Sequence, residues 1–326
     1  MTLCIHHKAL RLSMLARRVC SASQLSRYMT QATSLLTRQQ SAILAVDFDE
    51  TLTTHCTLAS VVAVAQQKHR GHCLSFQRCA DEYMKDIDVY EAKWQSTVSN
   101  QAAHMAWSQS LLNTYLEGVM PIEKASLERL STHKILAGIS RKELYAGGSS
   151  MKLRPGAAAC INRVLNDPKW RVWVVSINWS EDFIRGALEA AGVNVASSAL
   201  SIYCNNPVFA ADTGLSTGKI EPSVVGAKDK VELLIRGKHS VQEQGNVPLL
   251  VYVGDSLTDL PALILADLGL LFGKNKVVIE WCQRLGINFG ELRDKNGSSI
   301  LYQVSSWNVV EHLLRDHINS GSSLRF

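Results

Sequence analysis

Unbroken apolar runs recur along this chain, separated by stretches with a single apolar stripe. Ile43-Leu44-Ala45-Val46 has no polar position, the pattern of a strand covered on both faces in a parallel sheet flanked by helices. Arg171 to Ile177, Leu249 to Val253 and Leu268 to Phe272 read as further strands. Between them the pattern turns helical: 157–166, stopped by Asp167-Pro168; 181–191, opened by Ser180 and closed by Gly192; 229–236; and a short stretch to Ala266. Strand and helix in alternation predict a doubly wound α/β core on a parallel sheet. Residues 193–220 predict short strands with a hairpin turn at Asp212-Thr213-Gly214, and the tail predicts a helix from Val277 to Leu285, a strand from Leu301 to Val304 and a serine-capped helix through Leu314.

Residues 57–147 interrupt this rhythm. Tyr83, Ile87, Tyr90 and Trp94 share one helical face, and Met105, Trp107, Leu111, Leu112 and Tyr115 suggest a second helix. Pro121 is placed to start a third, carrying Leu127, Leu130 and Ile135. The expectation is a helical bundle over 57–147 inserted into a core made of 41–56 and 148–326. An insertion directly after a strand end is placed to serve as a lid.

Composition and charge narrow the function classes. The 326 residues are 46% hydrophobic and 19% charged, ordinary for a globular protein. The net charge is +5, but Lys8, Arg11, Arg17, Arg18, Arg27 and Arg38 precede the first strand with no acid among them, so the remainder is near neutral. A nucleic-acid-binding body would carry its basic stripe on the domain itself. Residues 1–40, basic and rich in Ser, Thr, Gln and Leu, have the composition of a transit peptide, with a disordered basic arm as the alternative. Import into a mitochondrion is expected, with plastid or cytosol as alternatives. No run approaches the ~20 apolar residues of a membrane span. The eight cysteines form no CxxC pair, which suits a reducing compartment.

The strand ends carry the chemistry. The first runs into Asp47-Phe48-Asp49-Glu50-Thr51, the second into Ser176 and Asn178, and the third into Gly254-Asp255-Ser256-Leu257-Thr258-Asp259, while Lys228 and Lys230 open a helix. A parallel sheet brings these distant positions to one edge. Carboxylates without His or Cys suit Mg²⁺, which takes one or two carboxylates plus phosphate oxygens. A hydroxyl and an ammonium beside them suit a phosphoryl group. The set points to phosphoryl transfer.

These residues, in this order, resemble the four motifs of the haloacid dehalogenase (HAD) superfamily: Asp47 to Thr51, Val174-Val175-Ser176, Lys230, and Gly254 to Asp259. The resemblance implies an HAD-like, Rossmannoid α/β fold with a helical cap at 57–147. It makes Asp47 the nucleophile and Asp49 the acid and then the base. Ser176 would hold a phosphoryl oxygen and Lys230 would offset charge, Lys228 being the competing lysine. Asp47, Asp49 through its carbonyl, and Asp255 would bind Mg²⁺, with Asp259 supporting that set. The presence of Asp49 argues against a dehalogenase, which lacks this second acid.

A narrower resemblance, carried by Ser176-Ile177-Asn178-Trp179-Ser180, Val251 to Ser256, Ala266-Asp267-Leu268-Gly269 and Val304-Ser305-Ser306-Trp307, is to the HAD domain of plant and fungal thiamine monophosphate phosphatases. In plants that domain is often fused to a TenA-like domain, absent from this sequence. Asn178, Trp94 and Trp107 are the expected substrate-binding residues, because a cationic substrate favours aromatic faces. The alternative esters are phosphoserine, a nucleoside monophosphate and phosphocholine. A reading of another class makes the chain a catalytically silent HAD-fold binding protein, paired with a separate TenA-like protein. The expected partner is otherwise a small phosphate ester, with neither nucleic acid nor membrane.

Overall fold

The computed structural model describes residues 41–68, 72–101, 107–241, 247–287, 289 and 300–319. Residues 1–40, where a transit peptide is expected, and Met105 lie outside the described residues. β1 (Ala42–Val46) is buried along its whole length, as an apolar run without alternation requires. Three helices follow it: α1 (Leu58–Gln66), α2 (His72–Gln101) and α3 (Gln109–Thr132). The chain then forms β2 (Ala137–Ser140), α4 (Arg141–Ser149), α5 (Ala157–Leu165), β3 (Trp170–Val175) and α6 (Glu181–Ala190). Next come β4 (Leu200–Tyr203), β5 (Asn206–Phe209), β6 (Leu215–Glu221), α7 (Ala227–Ser240), β7 (Leu249–Gly254) and α8 (Leu260–Leu265). β8 (Leu268–Phe272), α9 (Lys276–Arg284), β9 (Ile300–Val304) and α10 (Trp307–Asn319) complete the described elements.

Six strands form one sheet in the order β4-β3-β1-β7-β8-β9, and every neighbouring pair is parallel. This is the doubly wound parallel α/β class expected above. The chain winds outward from β1 through β3 to β4, then returns to the other side of β1 and continues through β7, β8 and β9. The winding direction therefore reverses between β1 and β7. In open α/β sheets that switch point opens a crevice at the carboxyl ends of the strands, because connections leave it in opposite directions. Val46 lies opposite Val253 there, so Asp47 and the Gly254-Asp255 turn emerge side by side.

Two features of the interval between β1 and β3 depart from the expected pattern. Pro121 does not begin a helix but lies inside α3. A proline there removes one backbone hydrogen bond, yet Leu112, Tyr115 and Val119 before it and Leu127 and Leu130 after it lie on a continuous buried face, and that packing carries the helix through. Gly118, one turn earlier, lets the Tyr90 ring approach: a Cβ at Gly118 would stand 2.2 Å from the Tyr90 hydroxyl oxygen. The second departure is β2, which pairs antiparallel with β6 in a three-stranded sheet completed by β5. The sequence Ala-Gly-Ile-Ser is too short to show a period. β5 and β6 form the expected hairpin, with Gly214 in the left-handed region at its turn.

Gly147 and Gly148 lie inside α4. α4 lies backbone-to-backbone on α6: a Cβ at Gly148 would sit 1.9 Å from the Phe183 carbonyl oxygen, and one at Gly186 would sit 2.0 Å from that of Tyr145. No side chain fits at either position without separating the helices. This contact ties the end of the inserted segment to the helix that follows β3, and so to the sheet.

Candidate active site

The end of β1 is shaped by backbone bonds. The Leu52 and Thr53 amides both donate to the Phe48 carbonyl, at 2.9 and 3.0 Å, closing a tight turn directly after the strand. Glu50 stands in that turn in the left-handed region, with φ of 59°, which is uncommon for a residue with a side chain. Three contacts hold it there. Arg154 donates to the Glu50 carbonyl from Nε and Nη2, at 3.0 and 2.7 Å, while its guanidinium stacks on Phe272. The Trp307 indole donates to the Thr51 carbonyl at 3.0 Å. The Thr51 hydroxyl donates to Asp255 Oδ1 at 2.8 Å, joining the β1 turn to the β7 turn. The sequence places Glu50 and Thr51 in the motif after β1 and gives Arg154 no role. An arginine 104 positions away leaves no local signal.

Asp47 and Lys230 meet across the switch point. Lys230 is buried to 1% exposure at the start of α7, and its ammonium donates to Asp47 Oδ1 at 2.9 Å and to Asp259 Oδ1 at 2.7 Å. Lys228, two residues earlier and so on the opposite side of the helix, is exposed and stands 3.9 Å from Glu232. The ammonium of the site is therefore Lys230. Burial works against its charge, but Asp259 and Asp47 outweigh that and raise its pKa.

Asp47, Asp255 and Asp259 each bring a carboxylate oxygen within 4.8 Å of the others. Their surroundings differ. Asp259 Oδ1 accepts from Lys230 and from the Tyr252 hydroxyl at 2.6 Å, while Oδ2 accepts the Asp255 and Ser256 amides and the Ser256 hydroxyl. Five donors occupy this carboxylate, so it orients its neighbours and has no free lone pair with which to ligate a cation. That leaves it as a support of the set and not a direct ligand. Burial opposes its charge, yet Lys230 overrides this and holds its pKa low. Asp47 and Asp255 each have only one oxygen in a hydrogen bond among the described residues. Burial, only partly offset by Lys230, pushes Asp47 up to about 8, and burial followed by the charges of Asp259 and Asp47 raises Asp255 well above the usual carboxylate range. Two desolvated acids with open oxygens facing a shared cavity fit a hard divalent cation, which would relieve the repulsion between them.

Asp49 is half-buried and its pKa is raised, chiefly by desolvation, with hydrogen bonds from Asn178 and Thr57 opposing. The cavity above these groups is lined by Asp47, Asp49, Glu50, Lys230, Asp255 and Thr258 on its polar side. Leu58, Ile177, Leu257 and Val277 form its apolar side.

The other expected residues fall elsewhere. Ser176 follows β3 beside the β1 turn, fully buried, and its hydroxyl accepts the Asn178 amide at 3.2 Å. Asn178 is likewise fully buried, and its side chain bonds protein groups; it is not a wall of the cavity. Trp94 and Trp107 do not line the cavity either. Trp94 packs edge-on to Tyr115 at 5.2 Å, and Trp107 packs on Trp281 of α9 at 5.1 Å with the Arg284 guanidinium over its ring. Their faces are taken by other aromatic rings and by an arginine, which corrects their expected role as substrate contacts.

No family model matches the chain. It is 25% identical over 293 residues to a CTO1 family protein of Schizosaccharomyces pombe, covering 82% of this chain and 97% of that protein. It is 26% identical over 214 residues to the "Bifunctional TH2 protein, mitochondrial" of Arabidopsis thaliana, covering 59% of this chain but only 34% of that longer protein. Among solved structures, a substrate-bound phosphoserine phosphatase aligns over 83% of this chain and 97% of its own, with 16% identity and a TM-score of 0.48.

Proposed function

We propose that this chain is a Mg²⁺-dependent HAD-type phosphomonoesterase that works through an aspartyl-phosphate, with thiamine monophosphate as its substrate. The observation that carries the reading is the cavity at the β1/β7 switch point, where Asp47, Asp49, Lys230 and Asp255 converge above a fully bonded Asp259. Support for the substrate comes from the stretches that resemble thiamine monophosphate phosphatases, and the similarity to the Arabidopsis TH2 protein is compatible with it. The basic, acid-free composition of residues 1–40 supports a mitochondrial location, as does the name of the Arabidopsis relative.

In this reading an oxygen of Asp47 attacks phosphorus as the bond from phosphorus to the ester oxygen breaks, and Asp49 gives its proton to the departing oxygen. Asp49, now a base, takes a proton from water. That water attacks the phosphoryl group and releases inorganic phosphate and the Asp47 carboxylate. Lys230 uses two of its three N–H donors on Asp47 and Asp259, which leaves the third for a phosphoryl oxygen. The resemblance would add the Ser176 hydroxyl, which is fully buried at the β3 end and not part of the cavity wall. Asp47, Asp255 and the Asp49 carbonyl would hold Mg²⁺, which when bound offsets phosphoryl charge. The helical segment 57–147 serves as the cap that keeps bulky esters out, with Leu58 already part of the cavity wall.

The deciding experiment is a phosphate-release screen of residues 41–326 with Mg²⁺ over a metabolite panel. Thiamine monophosphate should rank first. If phosphoserine, a nucleoside monophosphate or phosphocholine outranks it strongly, the substrate falls and the chemistry stands; release from no ester supports the silent binding protein.

Metal binding has its own signature in stability. Asp47, raised to about 8, binds more protons in the folded metal-free chain than in the unfolded one. Between the ordinary carboxylate range and about pH 8, stability in chelator should therefore fall as pH rises. Mg²⁺ takes the ionised form and reverses the trend, so the Mg²⁺-induced rise in melting temperature should grow from pH 6 to pH 8. Thermal unfolding at several pH values, with Mg²⁺ or chelator, checks this. A Mg²⁺ effect independent of pH removes Asp47 from the ligand set.

A further inference from the structure

Asn178 has every hydrogen-bonding position filled, and none by a group that could be substrate. Its Nδ2 donates to Asp49 Oδ2 at 2.9 Å and to the Thr57 hydroxyl at 3.0 Å. Its Oδ1 accepts the Trp179 amide at 2.8 Å and the Ser180 amide at 3.3 Å. Two donors and two acceptors are the full capacity of a primary amide. The two backbone amides also settle its orientation, since an oxygen must face them and the nitrogen must then face Asp49. Those amides lie just before α6, where Ser180 caps the helix, so the side chain is referred to a rigid part of the core.

The other oxygen of Asp49 is held from a different element. The Thr57 amide, at the N-terminal end of α1, donates to Asp49 Oδ1 at 2.5 Å. Asp49 is thus held on both oxygens by Asn178 and Thr57, the Thr57 hydroxyl adding to its amide, and turning its carboxyl group breaks these bonds. Three donors leave the carboxylate a lone pair for the proton in transfer. Asp49 lines the cavity, whereas Asn178 and Thr57 do not, so they act on chemistry only through it.

We infer that Asn178 is a positioning residue for proton transfer: with Thr57 it fixes the plane of the Asp49 carboxyl group so that its proton points at the leaving oxygen. This rests on the reading of Asp49 as the general acid. It makes a demand that a packing role would not. Loss of the clamp should slow departure of a leaving group that needs a proton and spare one that leaves without it.

The test compares kcat/KM for thiamine monophosphate and phosphoserine, whose alkoxide leaving groups need the proton, with kcat/KM for p-nitrophenyl phosphate, whose phenolate does not. Because kcat/KM covers events only through leaving-group departure, water attack on the phospho-enzyme does not enter it. Asn178→Asp is the main variant, since it keeps the shape and the acceptor toward Trp179 and Ser180 while removing the donor toward Asp49; Asn178→Ala is the second. Expected is a fall of about 10- to 100-fold on the alkyl esters against about threefold or less on p-nitrophenyl phosphate. Asp49→Asn should show the same selectivity, more strongly. Parallel losses on all probes in both Asn178 variants, or no loss, with Asp49→Asn still selective, overturn the positioning role and leave the phosphatase reading standing. Parallel losses in Asp49→Asn, or no turnover by the wild-type chain, overturn the acid assignment and this inference with it.

Discussion

Asp47→Asn is expected to lower phosphate release by about 10³-fold or more, since it removes the attacking oxygen's charge and no neighbour can replace it. The variant should fold. An amide at this position keeps an acceptor for the Lys230 ammonium, and Asp259 remains that lysine's other partner at 2.7 Å. Removing a carboxylate that burial already drives toward its neutral form also costs little. Acid quenching with ³²P-labelled substrate gives the matching direct readout: label should stay with the wild-type chain and be absent from the variant. Turnover that survives the substitution excludes a covalent route through Asp47, whatever the substrate.

Lys230→Ala should be nearly as damaging to activity, and unlike Asp47→Asn it should also unsettle the fold. Lys230 stands between two buried carboxylates, and removing one member of such a set leaves uncompensated charge worth about 3–5 kcal/mol. In a chain of this size that is a fall in melting temperature on the order of 10 °C. The sign of its pH dependence follows from Asp259, whose folded pKa Lys230 depresses. With that lysine gone, burial raises the Asp259 pKa above its unfolded value, so the variant loses stability as pH climbs out of the carboxylate range while wild type keeps Asp259 ionised; the deficit of Lys230→Ala should be larger at pH 7.5 than at pH 5. Lys228→Ala, at an exposed position beside Glu232, should stay within about 0.5 kcal/mol of wild type and keep its activity. Phosphate release and thermal unfolding of the two variants side by side measure the contrast, and equal loss from both contradicts the assignment of Lys230.

Much of the sheet was legible in the sequence for one physical reason. A strand buried on both faces must be apolar at every position, so Ile43 to Val46 and Leu249 to Val253 announce themselves without knowledge of their neighbours. Acids at the ends of such strands are equally plain, since an ionisable group there is costly unless something uses it. The convergence of Asp47, Asp49 and Asp255 follows from parallel strands and one reversal of winding. Elements without that signature were misread. Ala137-Gly138-Ile139-Ser140 is half-exposed and short, so its pairing with β6 left no periodic trace. The helix through Pro121 contradicted a local rule because its buried face outweighed one missing hydrogen bond.

The direction in which each polar or aromatic side chain turns was decided by tertiary structure alone. Asn178 reads as a polar residue after a strand and thus as a substrate contact; it meets Asp49, 129 positions away, and its amide is used up there. Trp94 and Trp107 read as aromatic faces in a cap, and they are consumed by Tyr115, Trp281 and Arg284. Asp259 reads as one more acid in a metal-binding turn, and five donors leave it none of the lone pairs a ligand needs. By itself the sequence determined which residue types reach the carboxyl edge of the sheet, because burial and strand geometry act along the chain. Which of them face the cavity and which serve as struts depended on partners that only folding brings within hydrogen-bonding distance.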